Sequence, residues 1–244
     1  MPLATIEPQR LYRQIAEQVR SLITGGEFPP GSRLPAEPDL AKQLGVSRPS
    51  VREALIALEV EGWVEVRTGS GVYVLERRGR AHAPRAKVPA NEWGPLELIR
   101  ARRVIEGEIA GLAAQQAKRK DVQALRSAID SMADDADRGV APLVGDRAFH
   151  TAIAQAAGNV VLLETVQTFW DARHGPLFER LGDYFESVPS WRIAIGEHEA
   201  VLDAIRAHDA VSARSAMHNH LDKSHARFNA SWRRSGKPAV TNSI

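Results

Sequence analysis

Cysteine is absent from the 244 residues. That excludes disulfides and thiolate metal ligands, and it suits a reducing compartment. No apolar run approaches the roughly 18 residues that cross a membrane as a helix, so no membrane partner is expected. The opening Met1-Pro2-Leu3-Ala4-Thr5-Ile6-Glu7 lacks the basic-then-apolar order of a secretion signal, and a cytoplasmic location is expected. Charge of one sign is also lacking. With 32 basic and 30 acidic side chains the net charge is +2, so any footprint for nucleic acid must be local. Beyond residue 76 no stretch alternates as a strand does.

The first third is rich in turn and capping signals. Leu11, Ile15, Val19, Leu22 and Ile23 fit one helical face, closed by Gly25-Gly26. A turn-rich stretch, Phe28 to Ser32, leads to a short helix predicted over Leu34–Leu44. Gly45 permits a turn into a third helix running to about Glu61. Ser47 is placed to cap that helix, and Pro49 falls in its first turn, where a missing N–H costs little. Val51, Ala54, Leu55 and Leu58 form its inner face. Ser47, Arg48, Ser50 and Arg52 remain near its start, and short donors with guanidinium forks there are what a major-groove reader needs. Trp63–Val66 and Val72–Leu75 alternate around Thr68-Gly69-Ser70-Gly71, which predicts a β-hairpin with Trp63 and Tyr73 in its core. Three helices and a hairpin make a winged helix-turn-helix.

From Pro95 the period is helical. Six helices are predicted: Leu96–Leu112, Val122–Met132, Leu143–Ala157, Val160–Leu181 with an interruption at Gly175-Pro176, Trp191–Ala207 and Ala210–Trp232. Seven of the eight histidines lie in the second half. Asp146 and His150, at i and i+4, share a helix face. With His198 and His220 on two further helices they offer one carboxylate oxygen and three imidazoles. That donor set suits a divalent ion, Zn²⁺ first, with Ni²⁺ or Mn²⁺ tolerated. His218, about 200° around its helix from His220, should face elsewhere. Asn159 reads as an N-cap. Arg173 and Arg192 could reach the bundle cavity, but surface salt bridges are their expected use.

Two sets of ordered matches carry a family resemblance. The first runs through Phe28–Glu37, Leu44–Arg48, Val51–Leu55, Leu58–Trp63 and Gly69–Val74. It resembles the DNA-binding domain of the GntR family of bacterial transcription regulators. The second runs through Arg102, Arg103 and Glu106, then Asp146–His150, Ala157–Asn159, Glu197–Ile205 and Ala216–Leu221. It resembles the FCD effector domain of that family's FadR branch. The resemblance implies that Arg48 and Arg52 contact bases or phosphates, with Ser47 and Ser50 adding shorter contacts. Thr68 and Gly69 would enter the minor groove, and Arg33 would touch a phosphate. Asp146, His150, His198 and His220 would bind a metal. Arg102, or failing it Arg103, would hold a carboxylate effector. One departure is Pro38, which stands where many relatives carry an arginine that helps read the operator.

The expected fold is therefore mainly α: a winged helix-turn-helix over residues 8–76, a basic linker over 77–91, an all-α antiparallel bundle over 92–234 and a disordered tail over 235–244. The expected function is a homodimeric repressor of carbon-source metabolism on a palindromic double-stranded DNA operator. A small organic acid, first a hexuronate or related sugar acid, would release it. The alternatives are a lactate- or dicarboxylate-responsive regulator, a metal sensor, and a metal-dependent hydrolase with an accessory DNA-binding domain.

Overall fold

The computed structural model describes residues 10–76, 88–89 and 91–230. Most of the expected linker and all of the expected tail lie outside the described residues. The described residues form two compact units. One comprises the chain up to Gly94 with Arg180–Phe185 and Ala230; the other comprises Pro95–Glu179 and Glu186–Asn229.

The first unit is built from α1 (Leu11–Thr24), α2 (Glu37–Leu44), α3 (Arg48–Val60) and the hairpin β1 (Val64–Arg67) and β2 (Gly71–Val74). Tyr12, Ile15, Ala16 and Val19 bury one side of α1, and Val51, Ala54, Leu55 and Leu58 bury α3. Gly45 closes α2 in the left-handed region at φ 66°, a conformation that costs glycine little. The hairpin is antiparallel, with Val64 opposite Val74 and Val66 opposite Val72. All four valines face inward, as the period of two requires. The second helix starts later than predicted. Leu34 is extended and donates its N–H to Val72 O at 2.8 Å, while Arg33 bridges to Tyr73. Pro35 disfavours the helical region for the residue before it, so Arg33-Leu34 joins the wing instead.

The second unit holds α4 (Pro95–Gln116), α5 (Arg119–Asp137), α6 (Leu143–Ala156), α7 (Val160–Asp171), a 3₁₀ turn (Ala172–His174), the first turn of α8 (Pro176–Phe185), α9 (Val188–Arg206) and α10 (Ala210–Phe228). The predicted fourth helix is two helices, broken at Gly175-Pro176. Asn159 caps α7 through Val161 and Leu162 N–H. Asp209 caps α10 in the same way. Helix α5 is longer than its apolar pattern predicts, because Asp121 Oδ2 accepts from Lys118 N at 2.8 Å and starts it early. Helix α9 begins at Val188, with Ser187 Oγ accepting from Ser190 N.

Two glycines set helix spacings. A Cβ on Gly107 of α4 would lie 2.1 Å from His218 Nε2 of α10, and one on Gly145 of α6 would lie 2.8 Å from Ala128 O and 3.0 Å from Met132 N of α5. His218 thus packs against α4, facing away from His220 as predicted. Gly145→Ala gains helix propensity of about 1 kcal/mol but forces two backbones apart, which costs about 1–3 kcal/mol. Thermal unfolding is expected to occur at lower temperature than for the unaltered protein, and an unchanged or raised midpoint would contradict this packing.

Candidate metal centre and nucleic-acid interface

Three helices deliver the cluster. Asp146 sits in the first turn of α6, and His150 follows one turn later on the same face. His198 comes from the middle of α9 and His220 from α10. One ligand atom from each of the four lies within 4.8 Å of the others. Asp146 Oδ1 is 3.3 Å from His150 Nε2 and 3.2 Å from His198 Nε2, and those two nitrogens are 3.4 Å apart. Ligands about 2.0–2.1 Å from a tetrahedral zinc are separated by about 3.3 Å, so these three atoms have the spacing of a shared ion. Asp146 Oδ1 is buried without a well-aligned hydrogen bond. The donor set and its spacing fit a divalent metal.

The protonation states of Asp146, His198 and His220 fit as well. Burial works against charge on Asp146, but bonds from His150 and His198 and the charge of Arg173 hold its carboxyl well below its usual range. Burial lowers His198 and His220, and neighbouring imidazoles push His220 down further. Both are thereby kept as the neutral rings that metals bind. His150 is raised: burial opposes its charge, but Glu106 and Asp146 outweigh burial.

Around the four lies a ring of charge. Glu106 of α4 bonds His150 Nδ1 and is gripped by Arg102 at 2.6 and 3.3 Å. Glu197 of α9 accepts from His220 Nδ1 at 3.0 Å and from Arg227 at 2.9 and 3.2 Å. Arg173 donates to Asp146 Oδ2 at 3.0 Å. Arg102 and Arg173 both lie over the Trp170 indole, at 4.7 and 4.2 Å. Arg173 is thus not a surface partner as expected: the 3₁₀ turn after α7 carries it inward. Arg192 does pair with Asp137 at the surface. Of the two candidate effector arginines, Arg102 is buried beside the cluster. Arg103 is half-exposed, pairs with Asp222 at 2.6 Å and lines a surface groove between α4 and α10. Arg227 and Trp170 are not picked out from the sequence, and Glu197 is noted there only as the neighbour of His198. Glu197 meets His220 and Arg227 across 23 and 30 residues, so no local spacing marks those contacts.

In the first unit Ser47 Oγ accepts from Ser50 N, and the two hydroxyls are 2.8 Å apart. Arg48 is half-exposed. Arg52 departs from expectation: it is fully buried, with Nε and Nη2 on the Glu37 carboxylate at 3.0 and 3.2 Å. One turn beyond Arg48, it faces the start of α2 rather than solvent. Thr68 and Gly69 occupy the wing turn, with Gly69 at φ 76°. Arg33 lies across Gly71, whose φ of 126° leaves no side chain to obstruct it. Tyr73 is a wing-surface platform rather than core, with its hydroxyl on Ser70 Oγ and Arg67 over its ring at 4.5 Å. Glu59 of α3 accepts from Val66 N at 2.9 Å. Within the same unit it also accepts from Arg180 and Tyr184.

The "FCD domain" family matches residues 97–223, and the family described as "Bacterial regulatory proteins, gntR family" matches residues 11–74. The Uxu operon transcriptional regulator of Escherichia coli K12 is 38% identical over 221 residues, covering 88% of this chain and 85% of that protein. The chain belongs to the GntR family. The Exu regulon transcriptional regulator of the same organism is 37% identical, covering 88% of this chain and 83% of that protein. The solved structure of E. coli McbR/YncC shares the fold, with a TM-score of 0.50 at 23% identity over 91% of this chain and 98% of that one. This GntR-family chain is a DNA-binding transcriptional regulator, and its relatives are regulators rather than enzymes, which replaces the hydrolase alternative. No helix among the described residues is long and apolar enough to cross a membrane.

Arg52→Ala leaves a buried carboxylate short of its main partner, which costs roughly 3 kcal/mol or more. Arg48→Ala removes a half-exposed pair worth at most about 1 kcal/mol. Chemical denaturation is expected to rank the two variants in that order, and equal stabilities would contradict the assignment of Arg52 to the interior.

Proposed function

We propose that this regulator is a zinc-dependent, acid-responsive repressor acting as a homodimer in the cytoplasm. The observation that carries the reading is the cluster of Asp146, His150, His198 and His220 inside a ring of guanidinium groups. The domain limits in this reading are 8–76 for DNA binding and 92–234 for effector binding and dimerisation. Asp146, Glu106 and Glu197 are each matched by one arginine, Arg173, Arg102 and Arg227. These pairs offset one another, with Lys223 adding a longer contact to Glu197 at 3.9 Å, and imidazoles bind a metal as neutral rings. A divalent ion held there, with zinc preferred over nickel or manganese, would bring positive charge that the protein leaves uncompensated. A small carboxylic acid supplies the balance, and a hydrated polar site favours it over a fatty chain. The names of the Uxu and Exu regulators point to hexuronates as the acid class. Arg102 and Arg173, stacked on Trp170, are the groups to orient the acid, and Arg103 has no part in it.

On the DNA side, Ser47, Arg48 and Ser50 read a major groove, while Thr68 and Gly69 enter the minor groove and Arg33 holds a phosphate. Arg52 supports the reading helix from inside. Two such heads meet a palindromic operator. Acid binding releases the protein if the acid prefers the conformation that does not bind DNA.

The test pairs thermal shift with DNA binding to a duplex selected from a random pool. The zinc-loaded protein is expected to be stabilised by glucuronate or galacturonate. At an acid concentration of a hundred times Kd the gain is about 2.7 kcal/mol. The same acids should lower DNA affinity, neutral hexoses should do neither, and chelation or His220→Ala should remove the response. A protein that carries no metal after purification in zinc-containing buffer, and that no acid stabilises, would refute the proposal.

A further inference from the structure

The three imidazoles are not held alike. The outer nitrogen of His220 meets Glu197 Oε2 at 3.0 Å, and that of His150 meets Glu106. His198 instead packs edge to face with the Phe149 ring, centroids 4.8 Å apart, and its backbone partner is Ala194. Each of the two carboxylates is locked in turn by an arginine. Arg227 Nη1 straddles both oxygens of Glu197, and Arg102 straddles those of Glu106. Both carboxylates are buried.

We infer that Glu197, held by Arg227, is the positioning residue that makes His220 a metal ligand. Glu106, held by Arg102, does the same for His150. The inference rests on the metal reading above. A neutral imidazole has one proton and two nitrogens, and its environment decides which nitrogen keeps it. A carboxylate beside Nδ1 fixes the proton there and leaves Nε2 with its lone pair for a metal, as at His150, whose Nε2 lies 3.3 Å from Asp146 Oδ1. A carboxylate behind a ligating histidine also makes the ring a stronger donor, and removing such a partner weakens metal binding about 10–100-fold. Arg227 extends this control to the outer part of α10, where its side chain is about a quarter exposed. The zinc affinity of a buried site is therefore set in part by a residue that solvent reaches.

The test uses the full-length protein. Zinc affinity is measured by competition with a chromophoric chelator, and the His220 tautomer is read from imidazole ¹⁵N shifts in metal-free protein. Wild type is expected to show the Nδ1–H form. Glu197→Ala should give mixed tautomers and zinc binding weakened 10–100-fold. Glu197→Gln, which still presents an acceptor, should restore the tautomer and only part of the affinity. Arg227→Ala should weaken zinc binding in the same direction by a smaller factor, and it keeps the inference testable if Glu197→Ala does not fold. Wild-type zinc affinity and an unchanged tautomer in a folded Glu197→Ala protein would overturn the inference. If wild type binds no zinc, the metal reading fails, while the tautomer in the metal-free protein still decides whether Glu197 orients His220.

Discussion

A charge taken out of water must meet an opposite charge or neutralise itself, and the interior of the helical unit is arranged by that constraint. Arg102, Glu106, Glu197 and three histidines are buried around one small space, and Asp146 is largely so. None could be placed alone. Glu106 is tolerable because Arg102 is one helical turn away. Glu197 is tolerable because α10 brings Arg227 against it. Asp146 has one oxygen on Arg173, and its other oxygen faces two imidazoles. The helices of this unit are spaced by packing, but their rotations are pinned by these pairs.

Apolar periodicity was enough to place the helices, because it records what packs inward. It was less informative at their ends. The polar run that finishes α5 at Asp137, and the Ser187 cap that starts α9 early, contribute little apolar signal. Leu34 is assigned to a helix by its neighbours, yet Pro35 and the edge of the hairpin draw it, with Arg33, into the wing.

The site was legible to a similar depth. Asp146 and His150 announce themselves at i, i+4, and the resemblance supplies His198 and His220. What surrounds them was not legible. Arg173 looks like any exposed arginine until the 3₁₀ turn aims it at Asp146. The bond between Glu197 and His220 spans 23 residues and two helices. Arg52 shows the opposite error. Its type and place near the start of a reading helix suggest contact with DNA. Its helical phase brings it to Glu37 instead, and burial decides the outcome.

The glycine contacts have a mechanical side. At Gly107 the α4–α10 seam is filled by the His218 ring, while at Gly145 the α5–α6 seam is closed by backbone. The first seam is lined by a side chain that can swing aside, and the second is not. Of the two, only the α5–α6 seam stands at its minimum width against main chain. The closeness of that seam is thus set by a residue that carries no side chain.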